Sequence, residues 1–243
     1  MINKVIFKKI KFHNIHTKNF DKCILRKGLF VFPAAPGLAS LSQSKKYHES
    51  LRKADLVFFD SGFFVLLLKI FKNVSVRKFS GYKFLNLFFD FLKKNKKKSV
   101  FCVDPNFQFS KSNKIFLRGL GITKIYNYLA PDYKAENLYD KKLLLRIKKV
   151  KPDFILTNIG GGKQEILGLY LKRHLKIKTT ILCTGAAISF FTKDQAPINT
   201  LIDQLYLGWF VRLIFNPVAF LKRYFYSLRL IPMVIFNKIK VIS

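Results

Sequence analysis

The sequence is poor in acidic residues and cysteine, and it has no long uncharged apolar run. Its 13 Asp and Glu residues face 45 Lys and Arg residues, giving a formal net charge of +32. The three cysteines are widely spaced and fit neither a zinc site nor a disulfide framework, which predicts buried, reduced thiols. Without 18 consecutive uncharged apolar residues, no transmembrane helix is predicted. The first twelve residues do not resemble a signal peptide, so a cytoplasmic protein is expected.

Positive charge and phenylalanine are both abundant. A surface with this charge is attracted to polyanions, which include nucleic acid, anionic lipid headgroups and phosphorylated substrates. The chain also contains 27 phenylalanines. Aromatic side chains combined with positive charge favour a protein that lies on a membrane surface. The length of 243 residues allows one large domain, or one domain with an appendage, to fold without a disulfide or metal.

Short apolar segments alternate with amphipathic ones through about residue 200, and this alternation predicts an α/β fold. We expect a Rossmann-like, mostly parallel sheet with helices on both faces, because the strands read as continuous apolar runs. The predicted strands are residues 5–11, 29–32, 55–59, 100–103, 122–129, 154–156 and 179–183. The predicted helices are residues 38–53, 63–71, 82–94, 111–119, 138–149 and 166–175.

The chain divides by composition into a predicted α/β domain, residues 1–200, and a basic C-terminal appendage, residues 201–243. No acidic residue follows Asp203, and basic residues there alternate with aromatic ones. This pattern predicts an amphipathic, helical, membrane-associating segment. The alternative is a helix packed on the core whose lysines reach into solvent, and the two interpretations are compatible.

Polar residues follow four of the predicted strands, where ligands of parallel α/β folds bind. The most informative of these loops is Asn158-Ile159-Gly160-Gly161-Gly162-Lys163-Gln164-Glu165. A glycine turn between a strand and a helix presents backbone N–H groups, which suit a phosphate or an anionic nucleotide. A tight turn without a ligand is the alternative. The pattern is neither a P-loop nor a Gly-x-Gly-x-x-Gly fingerprint.

The candidate site residues lie in these loops. Asp60 supplies a carboxylate at the end of a strand, and it is also a candidate N-cap of the helix that begins near residue 63. Gln164 and Glu165 are candidates to bind a ribose, base or sugar hydroxyl, although Glu165 also suits the helix dipole. Asn158 and Thr184 are weaker loop candidates. No Asp-x-Asp pair is present to hold a divalent metal.

Several segments resemble the WecG/TagA/CpsF glycosyltransferases. Gly-Gly-Gly-Lys-Gln-Glu resembles the family's Gly-x-Pro-Lys-Gln-Glu signature, and Ala54 to Gly62 resembles its Ala-Asp-Leu-Val-x-x-Asp-Gly segment. Leu207 to Leu213 resembles its Leu-Glu-Trp-x-x-Arg-Leu segment. The resemblance covers roughly residues 28–226.

The resemblance implies transfer of a sugar from a UDP-sugar donor to a polyprenyl-diphosphate-linked acceptor in bacterial surface polysaccharide synthesis. It implies a metal-independent, inverting enzyme without a cofactor, peripheral on the inner face of the cell membrane. By position, Asp60 matches the catalytic base, Gln164 a donor contact and Arg77 a diphosphate-binding arginine. Arg212 and Arg223 match arginines of the appendage. Lys163 is a further candidate for neutralising the diphosphate.

The departures from the family's pattern leave alternatives open. Phe32-Pro33-Ala34-Ala35-Pro36 replaces the family's Thr-x-Asn segment, and three glycines replace Gly-x-Pro. An inactive or altered member on the membrane surface is therefore one alternative. A nucleic-acid-binding protein is another, disfavoured because no helix-turn-helix, zinc-finger or RNP motif is evident. The sugar, the acceptor, the linkage and the oligomeric state, a homo-oligomer included, stay open.

Overall fold

A nine-stranded sheet forms the centre of the protein. The computed structural model describes residues 3–134, 138–176, 178–192, 194, 211, 213–214 and 217–242. The strands are β1 Lys4–Phe7, β2 Ile10–His13, β3 Gly28–Val31, β4 Leu56–Phe58, β5 Val100–Asp104, β6 Ile125–Leu129, β7 Phe154–Thr157, β8 Thr180–Cys183 and β9 Ile239–Ile242. Their order in the sheet is β6-β5-β7-β8-β3-β4-β2-β1-β9.

The helices pack on the two faces of this sheet. They are α1 Phe20–Ile24, α2 Ala35–Ala39, α3 Lys45–Lys53, α4 Gly62–Lys72, α5 Gly81–Lys94, α6 Phe107–Gly119, α7 Lys141–Val150, α8 Lys163–His174, α9 Pro217–Ser227 and α10 Leu230–Phe236. Core residues of α2, α3, α4, α7, α8 and α10 cover one face, and those of α1, α5 and α6 cover the other. The predicted Rossmann-like α/β fold is thereby confirmed.

The topology creates a crevice between β3 and β8. Every pair from β6 to β2 is parallel, whereas β1 pairs antiparallel with both β2 and β9. From β3 the chain passes to β4 on one side and later returns to β5 on the other side. Loops at such a reversal diverge above and below the sheet, which opens a ligand crevice at the carboxyl ends of the strands.

The phenylalanine excess mainly fills the two cores. Among the described residues fourteen phenylalanines are buried, so the number of phenylalanines alone overstates how much aromatic surface is exposed. Phe32 and Phe58 stack with ring centroids 4.4 Å apart, and Phe84 packs on both rings. Each fully buried ring contributes roughly 1.5–3 kcal/mol of hydrophobic stabilisation relative to an exposed one.

Two predicted elements are wrong in detail. The strand predicted over residues 5–11 is a hairpin, in which β1 and β2 are joined by Lys8 and Lys9. The helix predicted over residues 38–53 is split into α2 and α3. The break lies in a serine-rich stretch, where Ser44 Oγ accepts a hydrogen bond from Tyr47 N–H and begins α3. Serine side chains compete for backbone groups and so favour helix starts over helix interiors.

The C-terminal segment returns to the domain and completes the sheet. Helix α9 packs against α2, and α10 packs against α4 and α2. Tyr226 donates a hydrogen bond to Gln43, and Lys72 Nζ donates one to the Ile235 carbonyl at 2.8 Å. Helices α9 and α10 lie within the segment predicted as a helical appendage, and strand β9 is an element that the sequence did not predict. The predicted boundary at residue 200 lies outside the described residues. Within them, no helix is long and apolar enough to cross a bilayer.

Candidate active site

The candidate residues gather at the carboxyl ends of β4, β7 and β8, on both sides of the crevice. Asp60 lies just beyond β4, the glycine turn follows β7, and Thr184 follows β8. Gly81 donates its N–H to Asp60 Oδ1, and a Cβ added to Gly81 would lie 3.4 Å from the Thr184 carbonyl oxygen. The next residue, Gly185, donates its N–H to Gln164 at the glycine turn. The structure therefore brings Asp60 and the glycine turn together.

Asp60 is held at the N-terminus of helix α5. Its Oδ1 accepts a hydrogen bond from Gly81 N–H, the first residue of that helix, at 2.8 Å. The positive end of the helix dipole favours a carboxylate at this position. The alternative role of Asp60 as the cap of α4 is wrong, because Ser61 Oγ accepts the Phe64 N–H instead. The Asp60 carboxylate is thus directed towards the neighbouring helix.

Open space borders the glycine turn. A Cβ added to Gly160, Gly161 or Gly162 would meet no atom within 4 Å. Of the three, Gly162 has a positive φ, +89°, and so has a conformational reason to be glycine. Gly160 and Gly161 do not have one. Their missing side chains leave the backbone N–H groups accessible, which is what close approach of a phosphate requires.

The side chains of Gln164 and Glu165 form hydrogen bonds with other groups of the protein. Gln164 Oε1 accepts the Gly185 N–H at 2.7 Å, and its Nε2 donates to Glu165 Oε1 at 3.0 Å. Glu165 Oε2 accepts the Gly162 N–H at 2.7 Å, which forms one half of a capping box. Both residues are nearly fully buried. They tie the turn after β7 to the turn after β8.

Burial sets the protonation of Glu165. Burial, and to a smaller extent the charge of Asp60, raises the pKa of that carboxyl from 4.5 to about 7. Hydrogen bonds from backbone N–H groups and from Gln164 act in the opposite direction. Two carboxyl groups in one low-dielectric site therefore differ in environment, since Asp60 sits on a helix N-terminus and Glu165 inside the core.

Lys163 forms an exposed ion pair at the start of α8. Its Nζ lies 2.8 Å from Asp132 Oδ1, and the Asp132 side chain is 96% exposed. A hydrogen bond from Lys163 and its charge hold the pKa of Asp132 below the ordinary value. Exposed pairs of this kind are worth little energy. The ammonium can therefore exchange Asp132 for a phosphate oxygen at small cost.

A buried polar network holds Asn158. Asp104 Oδ1 accepts from the Nδ2 atoms of Asn113 and Asn158, both at 2.7 Å, and Asp104 Oδ2 accepts from Asn127 Nδ2 at 3.0 Å. Because a carboxylate only accepts, the amide orientation of all three asparagines is fixed. The sequence marks Asp104 as a strand-end residue, but Asn113 and Asn127 carry no local signal of this role.

Two buried polar atoms border the crevice without a partner among the described residues. They are Asn158 Oδ1 and Thr184 Oγ1. The register pairs Leu156 with Leu182, so Asn158 and Thr184 follow at the same level on neighbouring strands. Buried polar atoms are normally hydrogen-bonded, and exceptions concentrate where a water, an ion or a ligand binds.

The three candidate arginines have different positions. Arg77 is exposed on the segment that leads into α5, where its backbone N–H donates to Asn14 Oδ1 at 3.0 Å. Arg223 is exposed on α9, with its guanidinium 5.4 Å from the Phe220 ring centroid. Arg212 lies outside the described residues.

The fold and the site together define a class of protein. It is a Rossmann-like α/β protein whose crevice is bordered by a carboxylate and by an open glycine turn suited to an anion. The family model of the glycosyl transferase WecG/TagA/CpsF family matches residues 4–241, and the chain belongs to this family. A search of curated proteins finds no match. Membership makes the chain a glycosyltransferase of polysaccharide synthesis, which uses a sugar donor and an acceptor, and it confirms the resemblance seen in the sequence.

Proposed function

We propose that the protein transfers a sugar from a UDP-sugar to a polyprenyl-diphosphate-linked saccharide, with Asp60 as the general base. The carrying observation is a chain of contacts from Asp60 to the open glycine turn: Gly81 binds the Asp60 carboxylate and packs against Thr184, and the adjacent Gly185 binds Gln164. An inverting transfer requires a base for the acceptor hydroxyl and positive groups for the departing diphosphate. Asp60 would supply the base on one side of the crevice, and the glycine turn would receive the diphosphate on the other side.

In the proposed reaction the acceptor oxygen attacks the anomeric carbon while Asp60 takes its proton. The bond from that carbon to the diphosphate oxygen breaks, and UDP leaves with the electron pair. The N–H groups of the glycine turn and Lys163 would receive the diphosphate charge, together with Arg77, Arg212 and Arg223. In this proposal they take the place of a divalent metal.

Gln164 and Glu165 contribute to the proposed reaction by positioning. Their side-chain hydrogen bonds join the turn after β7 to the turn after β8, and this holds the phosphate-binding backbone in place. Asn158 and Thr184 would supply the polar contacts to the donor, because each has a buried atom without a partner in the described part of the chain.

We further propose that the protein acts as a peripheral protein on the inner face of the cell membrane. Helices α9, α10 and α4 expose apolar side chains, namely Leu66, Ile70, Phe71, Leu221, Phe225, Ile235 and Phe236. Exposed lysines and arginines accompany them, including Lys69 and Lys222. Apolar side chains within a basic surface suit an anionic bilayer. Failure to sediment with anionic vesicles would contradict this part of the proposal.

The test of the base is Asp60→Asn, assayed by UDP release from UDP-N-acetylhexosamines in the presence of a short-chain polyprenyl-diphosphate-linked acceptor. Asparagine retains an acceptor for Gly81 N–H, so the fold should persist. We expect kcat to fall about 100-fold or more, the usual range for loss of a general base. Asp90→Asn is the control, because Asp90 is an exposed acid that pairs with Lys93 on α5, the helix whose N-terminus binds Asp60. Full activity of Asp60→Asn would refute the assignment.

A thermal-shift panel tests the class of ligand. Stabilisation by UDP and UDP-sugars, with none by ATP, NAD or duplex DNA, is the expected result. Stabilisation by UDP without turnover on any polyprenyl-linked acceptor would favour an inactive member of the family. A steeply salt-dependent affinity for DNA without a response to UDP would favour a nucleic-acid-binding protein.

A further inference from the structure

The turn between β1 and β2 has an unfavourable sequence for its backbone conformation. Lys8 and Lys9 have φ values of 46° and 63°, so both lie in the left-handed region. A two-residue hairpin loop with positive φ at both positions is the type I′ arrangement, in which Asn-Gly is strongly preferred. Lysine is not favoured there, because its Cβ crowds the following carbonyl oxygen.

The surrounding structure fixes this turn whatever its side chains are. Phe7 and Ile10, which flank it, are paired in the ladder and are fully buried. His48 Nε2–H donates a hydrogen bond to the Lys8 carbonyl at 2.7 Å. The backbone is therefore held by the sheet and by α3. The fold does not require lysine at either position, and a residue that its backbone conformation disfavours points to a function for its side chain.

The two lysines border a groove at the end of the sheet opposite the candidate active site. The groove has a volume of about 630 Å³ and is lined by Ile6, Lys8, Lys9, Asn237, Lys238, Ile239, Lys240 and Val241. Strand β9 forms its second wall, because Phe7 pairs with Ile239 and Ile6 with Lys240. None of the described residues that line it is acidic. Four lysines thus line one groove, and its described lining contains no carboxylate.

We propose that this groove is a binding site for phosphate groups. Lysine ammonium groups are compact point charges with three donors, which suit phosphate oxygens. Bound phosphate would relieve the repulsion among the four lysines and would give a role to the two that lie in the strained turn. The phosphate can come from a phospholipid headgroup or from a soluble polyphosphate. The 83% exposed Phe236, which adjoins Asn237, is compatible with a lipid. This inference does not depend on the transferase proposal.

The test is the double variant Lys8→Asn/Lys9→Gly, in which Tm and phosphate affinity should change in opposite directions. Asn-Gly suits the type I′ turn, so we expect Tm to rise by about 4 °C. Removing two of the four charges should weaken phosphate binding about 10-fold. Binding is measured with tripolyphosphate by calorimetry and with vesicles containing about 30% phosphatidylglycerol by sedimentation. Loss in the first assay identifies soluble phosphate, and loss in the second identifies headgroups.

The control is Lys141→Gln/Lys142→Gln, which removes the same charge from the exposed first turn of α7. It should change both affinities by less than about twofold if the groove is specific. Equal losses in the hairpin variant and this control would refute the site, since only net charge would then matter. Absence of binding in both assays would also refute it. A fall in the Tm of the hairpin variant would overturn the argument from strain.

Discussion

The buried Glu165 gives the protein a pH-dependent stability that one substitution can isolate. Its side chain is 1% exposed, and burial is the main reason that its pKa rises from 4.5 to about 7. Below about pH 4 the carboxyl is protonated in both the folded and the unfolded state, so stability does not change with pH in that range. As pH rises, the unfolded chain loses this proton first, so the folded state loses stability until pH exceeds the folded pKa.

The expected magnitude follows from the two pKa values. Each pKa unit corresponds to about 1.4 kcal/mol, so the rise from 4.5 to about 7 gives a contribution of about 3 kcal/mol. This stability is present at low pH and is lost between about pH 4 and about pH 8. In Glu165→Gln the contribution is absent. The variant instead has a lower unfolding free energy at every pH, because a Gln amide cannot accept hydrogen bonds from both Gly162 N–H and Gln164 Nε2.

The assay is urea unfolding of both proteins across this pH range. Relative to Glu165→Gln, the natural protein should lose about 3 kcal/mol of unfolding free energy as pH rises. Glu49→Gln is the control, because Glu49 is a surface acid paired with Arg173, and its profile should follow that of the natural protein. A pH-independent difference between the natural protein and Glu165→Gln would refute the buried, proton-binding carboxyl.

Two further predictions concern the network beside the crevice and the packing of α8. Asp104→Asn should lower the unfolding free energy in urea by about 3 kcal/mol, because an amide group would face three Asn donors in the core. Unchanged stability would contradict a carboxylate at the centre of this network. Gly168→Ala should cost about 1 kcal/mol in the same assay, because its Cβ would lie 2.6 Å from Leu29 Cδ1 and 2.8 Å from Cys183 Sγ. Gly160→Ala, with open space around its Cβ, is the matched control, and equal losses in the two variants would contradict the close packing of α8.

The alternation of strands and helices could be predicted because each parallel strand is buried on both faces. Strands such as β5 and β7 therefore appear as short, continuous apolar runs. The hairpin at Lys8 and Lys9 could not be predicted, because it lacks the Asn or Gly that normally marks a type I′ turn. Strand β9 was missed since its edge position lets lysine alternate with Ile and Val, a pattern equally typical of an amphipathic segment.

The parts of the candidate site that the sequence could predict are the polar or glycine residues that directly follow a strand. Asp60, the glycine turn and Thr184 all follow strands that are neighbours or near neighbours in the sheet. What the sequence does not contain is the set of partners from distant segments. Gly81 binds Asp60 from 21 residues away, and Gly185 binds Gln164 across the same interval. Such pairings depend on how helices pack over the crevice, and no local pattern specifies them.

The three glycines give the turn a backbone course that the family's Gly-x-Pro pattern could not adopt. Gly162 stands at the proline position, with φ at +89°, and its N–H donates to Glu165 Oε2. Proline is restricted to a φ near −65° and has no N–H, so it could satisfy neither condition. Glu165 can therefore accept this hydrogen bond only because residue 162 is not proline. This dependence explains how the turn departs from the family's pattern while Lys163-Gln164-Glu165 still begins helix α8 and Gln164 still reaches Gly185.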